Sequence, residues 1–293
     1  MQPIKAQEHI ALIDANTARS KKEVSKAIFS CVTSFRLAEG LMVVKAAVNQ
    51  KVGNYIVDTG SPVLVLNTTP SRGATIQAMG ISDKVEVKAI QVQQFNWTGI
   101  QRQDVDAFAL DMSHLEMATT IDIAGIIGYD VLKDYQVFLD YSNRKIELLS
   151  FDKEKTNMLP PAVVIPFKLH GHLPIVKIRI GNKKLRLAID TGSEVNILHD
   201  EYEEAIISNL NSAKFEEEIQ GVDQKIKLVD ATIVEQTKIR NASIRDMKYI
   251  FTDLSHLQAN HLDIDGILGY PFLRSGKLLI NYKKRKIYIF PTP

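Results

Sequence analysis

Several things are scarce in this chain of 293 residues, and each shortage removes a class of explanation. Cys31 is the only cysteine, so no internal disulfide can form and no cysteine-based metal site can be built. Its apolar neighbours read as the surroundings of a buried thiol, and no partner histidine for cysteine-protease chemistry is signalled. Long apolar runs are missing too: the longest candidates, such as AIFSCVTSF at 27–35, fall far short of the roughly eighteen residues that span a bilayer. Neither sign of charge dominates. The 36 basic and 34 acidic residues are mixed along the chain and leave no nucleic-acid footprint. The start, MQPIKAQEH, lacks the basic residues and apolar run of a signal peptide, so a cytoplasmic protein is expected unless a signal has been trimmed. What remains is 45% apolar and 24% charged residues, the balance of a soluble globular protein able to bury a core without staples.

The positive signal is an internal repeat. An offset of 132 residues lays LMVVKAAVNQKVGNYIVDTGS (41–61) on LPIVKIRIGNKKLRLAIDTGS (173–193) without a gap. An offset of 141 lays DIAGIIGYDVL (122–132) on DIDGILGYPFL (263–273), and DYSNRKIELL (140–149) on NYKKRKIYIF (281–290). The offset grows because the second half carries an insertion after its DTGS, where HDEYEEAIISNL (199–210) reads as a short helix and the first half has the loop NTTPSRG (67–73). At the same offset MGISDKVEV (79–87) lies on QGVDQKIKL (220–228), each a glycine, turn residues and alternating apolar positions, which suggests hairpins. DMSHL (111–115) and DLSHL (253–257) also correspond, with Asp111 and Asp253 expected to cap a turn. His114 and His256 recur there without ligand spacing and read as structural rather than metal-binding.

These boundaries give an N-terminal helical extension at 1–39, a first lobe at 40–150, a charged and proline-rich linker at 151–166 and a second lobe at 167–293. Pro160 and Pro161 argue against a strand inside a sheet within the linker. The basic run KKRK (283–286) falls within an apparent strand, LLINYKKRKIYIF, and reads as a solvated face or a lysine-guarded edge. The extension either packs on the body or forms a removable segment whose Lys21, Lys22 and Lys26 cover acidic groups.

Each half places an aspartate on the turn after a buried strand. A lone Asp-Thr-Gly is best read as an Asx-type turn. The doubling, with IIG (126–128) and ILG (267–269) at matching distances, reverses that reading. If the halves pack about a pseudo-twofold axis, Asp58 and Asp190 come side by side at the bottom of a cleft. Two touching carboxyls share one proton and titrate as a pair, giving an acid and a base at one site. A water activated by the ionised one can attack a peptide carbonyl with no metal, cofactor or covalent intermediate.

In these residues the chain resembles the aspartic peptidases of the retroviral and pepsin-like kind, most closely bacterial aspartyl proteases. The matching features are IVDTGS and AIDTGS, then IIG and ILG, with a glycine-bearing hairpin between them in each half. The resemblance implies an all-β, bilobal acid-protease pseudo-dimer of two closed, barrel-like lobes with short helices, acting as an endopeptidase on peptide or protein substrates. Asp58 and Asp190 would be the catalytic pair. Thr59 and Thr191 would exchange hydrogen bonds across it, Gly60 and Gly192 would shape the loops, and Ser61 and Ser193 would bond the outer carboxylate oxygens. Met79, Gly80, Gln220 and Gly221 would belong to flaps, and Gly128 and Gly269 would let the apolar strand pass close behind each loop. Neither flap shows the glycine-rich tip of the retroviral enzymes, and Pro62 and Glu194 make the two loops unequal. The duplication removes the need to dimerise, so a monomer is expected, without nucleic-acid or membrane partners. A peptide-binding scaffold on the same fold is the alternative.

Overall fold

The computed structural model describes residues 6–7, 30–68, 76–79, 84–153, 160–210, 212–220, 226–259 and 262–291. The alternating apolar pattern before each DTGS forms an antiparallel hairpin, Leu41–Val48 with Lys51–Val57 and Leu173–Ile180 with Lys183–Ile189. Asn49 and Gln50 take positive φ in the first turn, as Gly181 does in the second. The chain is mostly strand. An eight-stranded sheet comes from the first half alone, and a nine-stranded one from the second half plus Ala6–Gln7. Ala6 and Gln7 run parallel to Ile219 and Gln220.

Both large sheets repeat one connection. Lys51–Val57 lies parallel to Ile123–Ile127, which is antiparallel to Leu64–Asn67, which in turn runs parallel to Ile100–Leu110. In the second half Lys183–Ile189, Gly266–Leu268, Ile197–His199 and Ala242–Thr252 pair in the same order. The short IIG and ILG strands are therefore flanked on both sides, which is why they read as unbroken apolar runs. Gly125 and Gly266 sit where a Cβ would strike the carbonyl oxygens of Val65 and Ile197.

A six-stranded sheet joins the halves. Gln136–Asp140 pairs antiparallel with Lys277–Asn281, from Gln136 opposite Asn281 to Leu139 opposite Leu278. Val137, Leu139, Leu278 and Ile280 are fully buried there, each contributing roughly 1.5–3 kcal/mol by leaving water. At one end Asn281 Nδ2 donates to Gln136 Oε1 at 2.7 Å, and at the other Lys277 pairs with Asp140 at 3.1 Å. The largest hydrophobic cluster runs without a break from Val57 through Val137 and Ile280 to Ile189.

Three expectations are corrected. The helical extension fails over its described C-terminal part: Ser30–Ser34 is a strand paired with Lys145–Leu149, and Arg36–Ala38 pairs with Leu41–Val43. The open edge of Lys145–Leu149 supplies backbone partners, and the β-branched pair Val32 and Thr33 suits a strand better than a helix. Lys21, Lys22 and Lys26 lie outside the described residues. The linker ends in a strand, Val163–Pro166, on the edge of the joining sheet beside Lys286–Phe290. Its prolines are tolerated because one side of an edge strand has no partner to satisfy. The KKRK run is mainly the turn between Lys277–Asn281 and Lys286–Phe290, closed by Asn281 Oδ1 accepting from Lys284 N at 2.8 Å, with Arg285 at positive φ. The segment after the second DTGS is as expected: a short turn at Asp200–Tyr202, then a helix at Glu203–Leu210.

Candidate active site

Asp58 and Asp190 sit on the turns that follow Lys51–Val57 and Lys183–Ile189. Each loop is held from behind by the short apolar strand: Asp58 N donates to Ile127 O and Asp190 N to Leu268 O, both at 3.0 Å. One turn further on, Tyr129 N donates to Ser61 O at 2.7 Å and Tyr270 N to Ser193 O at 2.8 Å. Gly128 and Gly269 lie in this crossing, where a Cβ would collide with Val63 O and Ser61 O in one half and with Val195 O and Ser193 O in the other. Only glycine lets the two backbones come this close.

The two loops meet. A Cβ on Gly60 would stand 2.5 Å from the Asp190 carboxyl, and one on Gly192 would stand 2.5 Å from that of Asp58. Both aspartates are 1% exposed. Asp58 Oδ1 accepts from Gly60 N at 2.7 Å and Ser61 N at 3.2 Å, and Asp190 Oδ1 accepts from Gly192 N at 2.8 Å. Burial first, then the charge of Asp190 and a hydrogen bond to it, hold the Asp58 carboxyl well above the ordinary carboxylate range, against the lowering pull of the Gly60 and Ser61 amides.

Thr59 and Thr191 tie the loops across the interface. Thr59 N donates to Thr191 Oγ1 at 2.9 Å and Thr191 N to Thr59 Oγ1 at 3.0 Å, while the hydroxyls donate to Ile189 O at 3.3 Å and Val57 O at 2.9 Å. Ser61 and Ser193 depart from expectation. Their hydroxyls donate to Val63 O at 3.0 Å and Val195 O at 2.8 Å, closing the outgoing turn instead of bonding the carboxylates. A hydroxyl two residues before a free carbonyl satisfies it locally, and local geometry wins. Met79 and Gln220 end the strands Ile76–Met79 and Lys214–Gln220, each the first arm of a hairpin. Gly80 and Gly221 lie outside the described residues.

Three features escaped the sequence reading. His172, buried at the turn before Leu173–Ile180, places Nε2 2.6 Å from Gly60 O, so a second-half residue grips the first-half loop. The position matching it in the first half is Gly40, which lies against the Tyr270 ring. Asp130 is half-buried with its Oδ1 enclosed, and loss of hydration there pushes its carboxyl up to about 6, against the Arg102 guanidinium and the amides of Val131 and Leu64. Its counterpart is Pro271. Finally, Tyr129 and Tyr282 meet edge to face at 5.2 Å, and Tyr141 and Tyr270 pair at 5.5 Å, each pair joining a loop-crossing residue to the joining sheet. Departures from the repeat, such as His for Gly and Asp for Pro, were the available signal for the first two.

Residues 176–272 match the family model for aspartyl proteases. The matched stretch contains Asp190, Thr191, Gly192 and Gly269, and it supports an aspartyl protease family and hydrolase chemistry. No curated protein matches the chain. Among the described residues no helix is long and apolar enough to cross a membrane.

Proposed function

We propose that the chain is an aspartic endopeptidase in which Asp58 and Asp190 act as one dyad between two pseudo-symmetric lobes, with no cofactor. The observation that carries this reading is the mutual approach of the two carboxyls, each set against the glycine of the opposite loop. Burial and mutual repulsion raise the titration of the pair, so the two carboxyls share one proton and carry a single negative charge. A water between the carboxyls gives its proton to the ionised one as it attacks the scissile carbonyl, and the protonated one donates to the developing oxyanion. The threonine exchange fixes the geometry, so little reorganisation is needed at the moment of reaction. In this reading the hairpins begun by Ile76–Met79 and Lys214–Gln220 act as flaps that open to admit substrate to the two carboxyls, each 1% exposed.

That same burial favours a second reading, a module that holds peptides without cleaving them. Incubation with a mixed peptide library, with and without pepstatin, separates the two. The peptidase predicts pepstatin-sensitive cleavage that Asp58→Asn and Asp190→Asn each abolish. Cleavage that survives both substitutions overturns it, and binding without turnover favours the module.

A further inference from the structure

A dense cationic patch covers the outer end of the hairpin that carries Asp190. Lys177, Arg179, Lys184, Lys238 and Arg240 are exposed, and with the half-buried Arg186 they line a concavity of about 490 Å³. The register puts like charges directly opposite one another: Arg179 faces Lys184 on one neighbouring strand and Lys238 on the other, and Lys177 faces Arg186. Direct cross-strand like-charge pairs destabilise a sheet. Arg186 is relieved by Asp263 and Asp265, but none of the other five has an ion-pair partner among the described residues. The chain as a whole carries only +2, so the charge is concentrated here.

The repeat shows that the fold does not require this. The first-half positions matching 177, 179, 184 and 186 are Lys45, Ala47, Val52 and Asn54, and those matching 238 and 240 are Trp97 and Gly99. One cation stands where the second half has six. The same hairpin is built without the repulsion, so the patch costs stability with no structural return.

We infer that this patch is an exosite for an acidic stretch of polypeptide on the protein substrate, an assignment that rests on the peptidase reading. Lys177 and Arg179 are two residues apart on one strand, a spacing of about 6.6 Å that matches acidic side chains at i and i+2 of an extended chain. The lining residues include no aromatic ring on which the bases of a single-stranded nucleic acid could stack. Arg186 and Lys184 precede Asp190 by four and six residues along one strand, so the patch lies about 13–20 Å from the dyad. An acidic segment bound there is connected to the scissile bond by about four to six extended residues.

The test begins with binding, which does not depend on catalysis. A fluorescein-labelled peptide of alternating Glu and Ser is titrated against the full chain by anisotropy at low salt, with its Gln-for-Glu counterpart as control. Binding of the acidic peptide alone is expected, weakening as salt rises and at least tenfold in Arg179→Glu, with Lys238→Gln as a milder second variant. Arg179→Glu is also expected to leave the melting temperature unchanged or higher, since it turns two repulsive pairs into attractive ones. A role confined to stability would not weaken binding while strengthening the fold. In the cleavage assay, an acidic extension on a neutral substrate peptide is expected to lower KM about tenfold in the parent chain and not in Arg179→Glu, with the neutral peptide cleaved equally by both. Absent binding, or binding indifferent to Arg179→Glu, overturns the inference. So does tighter Arg179-dependent binding of inorganic phosphate, an oligonucleotide or anionic vesicles. Peptide binding without any cleavage would sink the peptidase reading and leave the patch as an acidic-peptide site.

Discussion

Thr59 and Thr191 each donate a backbone N–H to the other's hydroxyl, at 2.9 and 3.0 Å, so neither loop is fully hydrogen-bonded without its partner. Removing one hydroxyl orphans a buried amide on the opposite loop and, for Thr191, the Val57 carbonyl as well. Each such group costs about 1–3 kcal/mol. Thr191→Val is expected to lower unfolding stability by about 2–4 kcal/mol, read as a shift in urea midpoint at constant slope. Thr191→Ser keeps the hydroxyl and should recover most of the loss; equal damage from Ser and Val would place the effect in the methyl group.

The raised Asp58 carboxyl predicts a pH-dependent penalty. An acid whose folded pKa exceeds its unfolded value binds more protons when folded, so it favours folding at low pH and loses that contribution as pH rises. Asp58→Asn should therefore melt higher than the parent at pH 7 and converge with it below about pH 4. Paired thermal melts of the two proteins across this pH range check the sign: a higher melting temperature for the variant at pH 7 that disappears at low pH.

Asp130 should behave alike in a different window. Its shift from 3.8 to about 6 means that stability falls as pH rises through that interval. Asp130→Asn keeps an acceptor for the Leu64 amide and should add about 2–3 kcal/mol above pH 6 and little below pH 4. A constant gain at all pH values would assign the effect to packing rather than to ionisation.

His172→Ala removes the grip on Gly60 and leaves a buried carbonyl short of a donor, an expected cost of about 1–3 kcal/mol. His172→Gln retains an N–H near the same reach. In the peptidase assay, His172→Ala should lower kcat more than it raises KM, because it loosens the loop that holds Asp58. Wild-type kcat in the alanine variant would show that the contact serves folding alone.

Much of this was legible because matching stretches in the two halves of the sequence turned weak local signals into paired ones. A single DTG is ambiguous, but Asp58 and Asp190 with Gly128 and Gly269 at matching offsets specify two strands crossing behind two loops. The failures came where a neighbour distant in sequence decided the outcome. Ser30–Ser34 became a strand because Lys145–Leu149 offered an open edge, a pairing across more than a hundred residues that local periodicity does not register. Ser61 was misassigned for the opposite reason, since its hydroxyl settled on a carbonyl two residues away before any carboxylate could claim it. His172 lies 112 residues from the carbonyl it holds, and only its mismatch with Gly40 marked it.

That mismatch separates this chain from an assembly of two identical subunits. With a histidine on one flank and a bare glycine on the other, the two loops are chemically distinct before any ligand arrives. Because both halves belong to one polypeptide, each flank carries its own side chains, and the centre of the molecule has a left and a right.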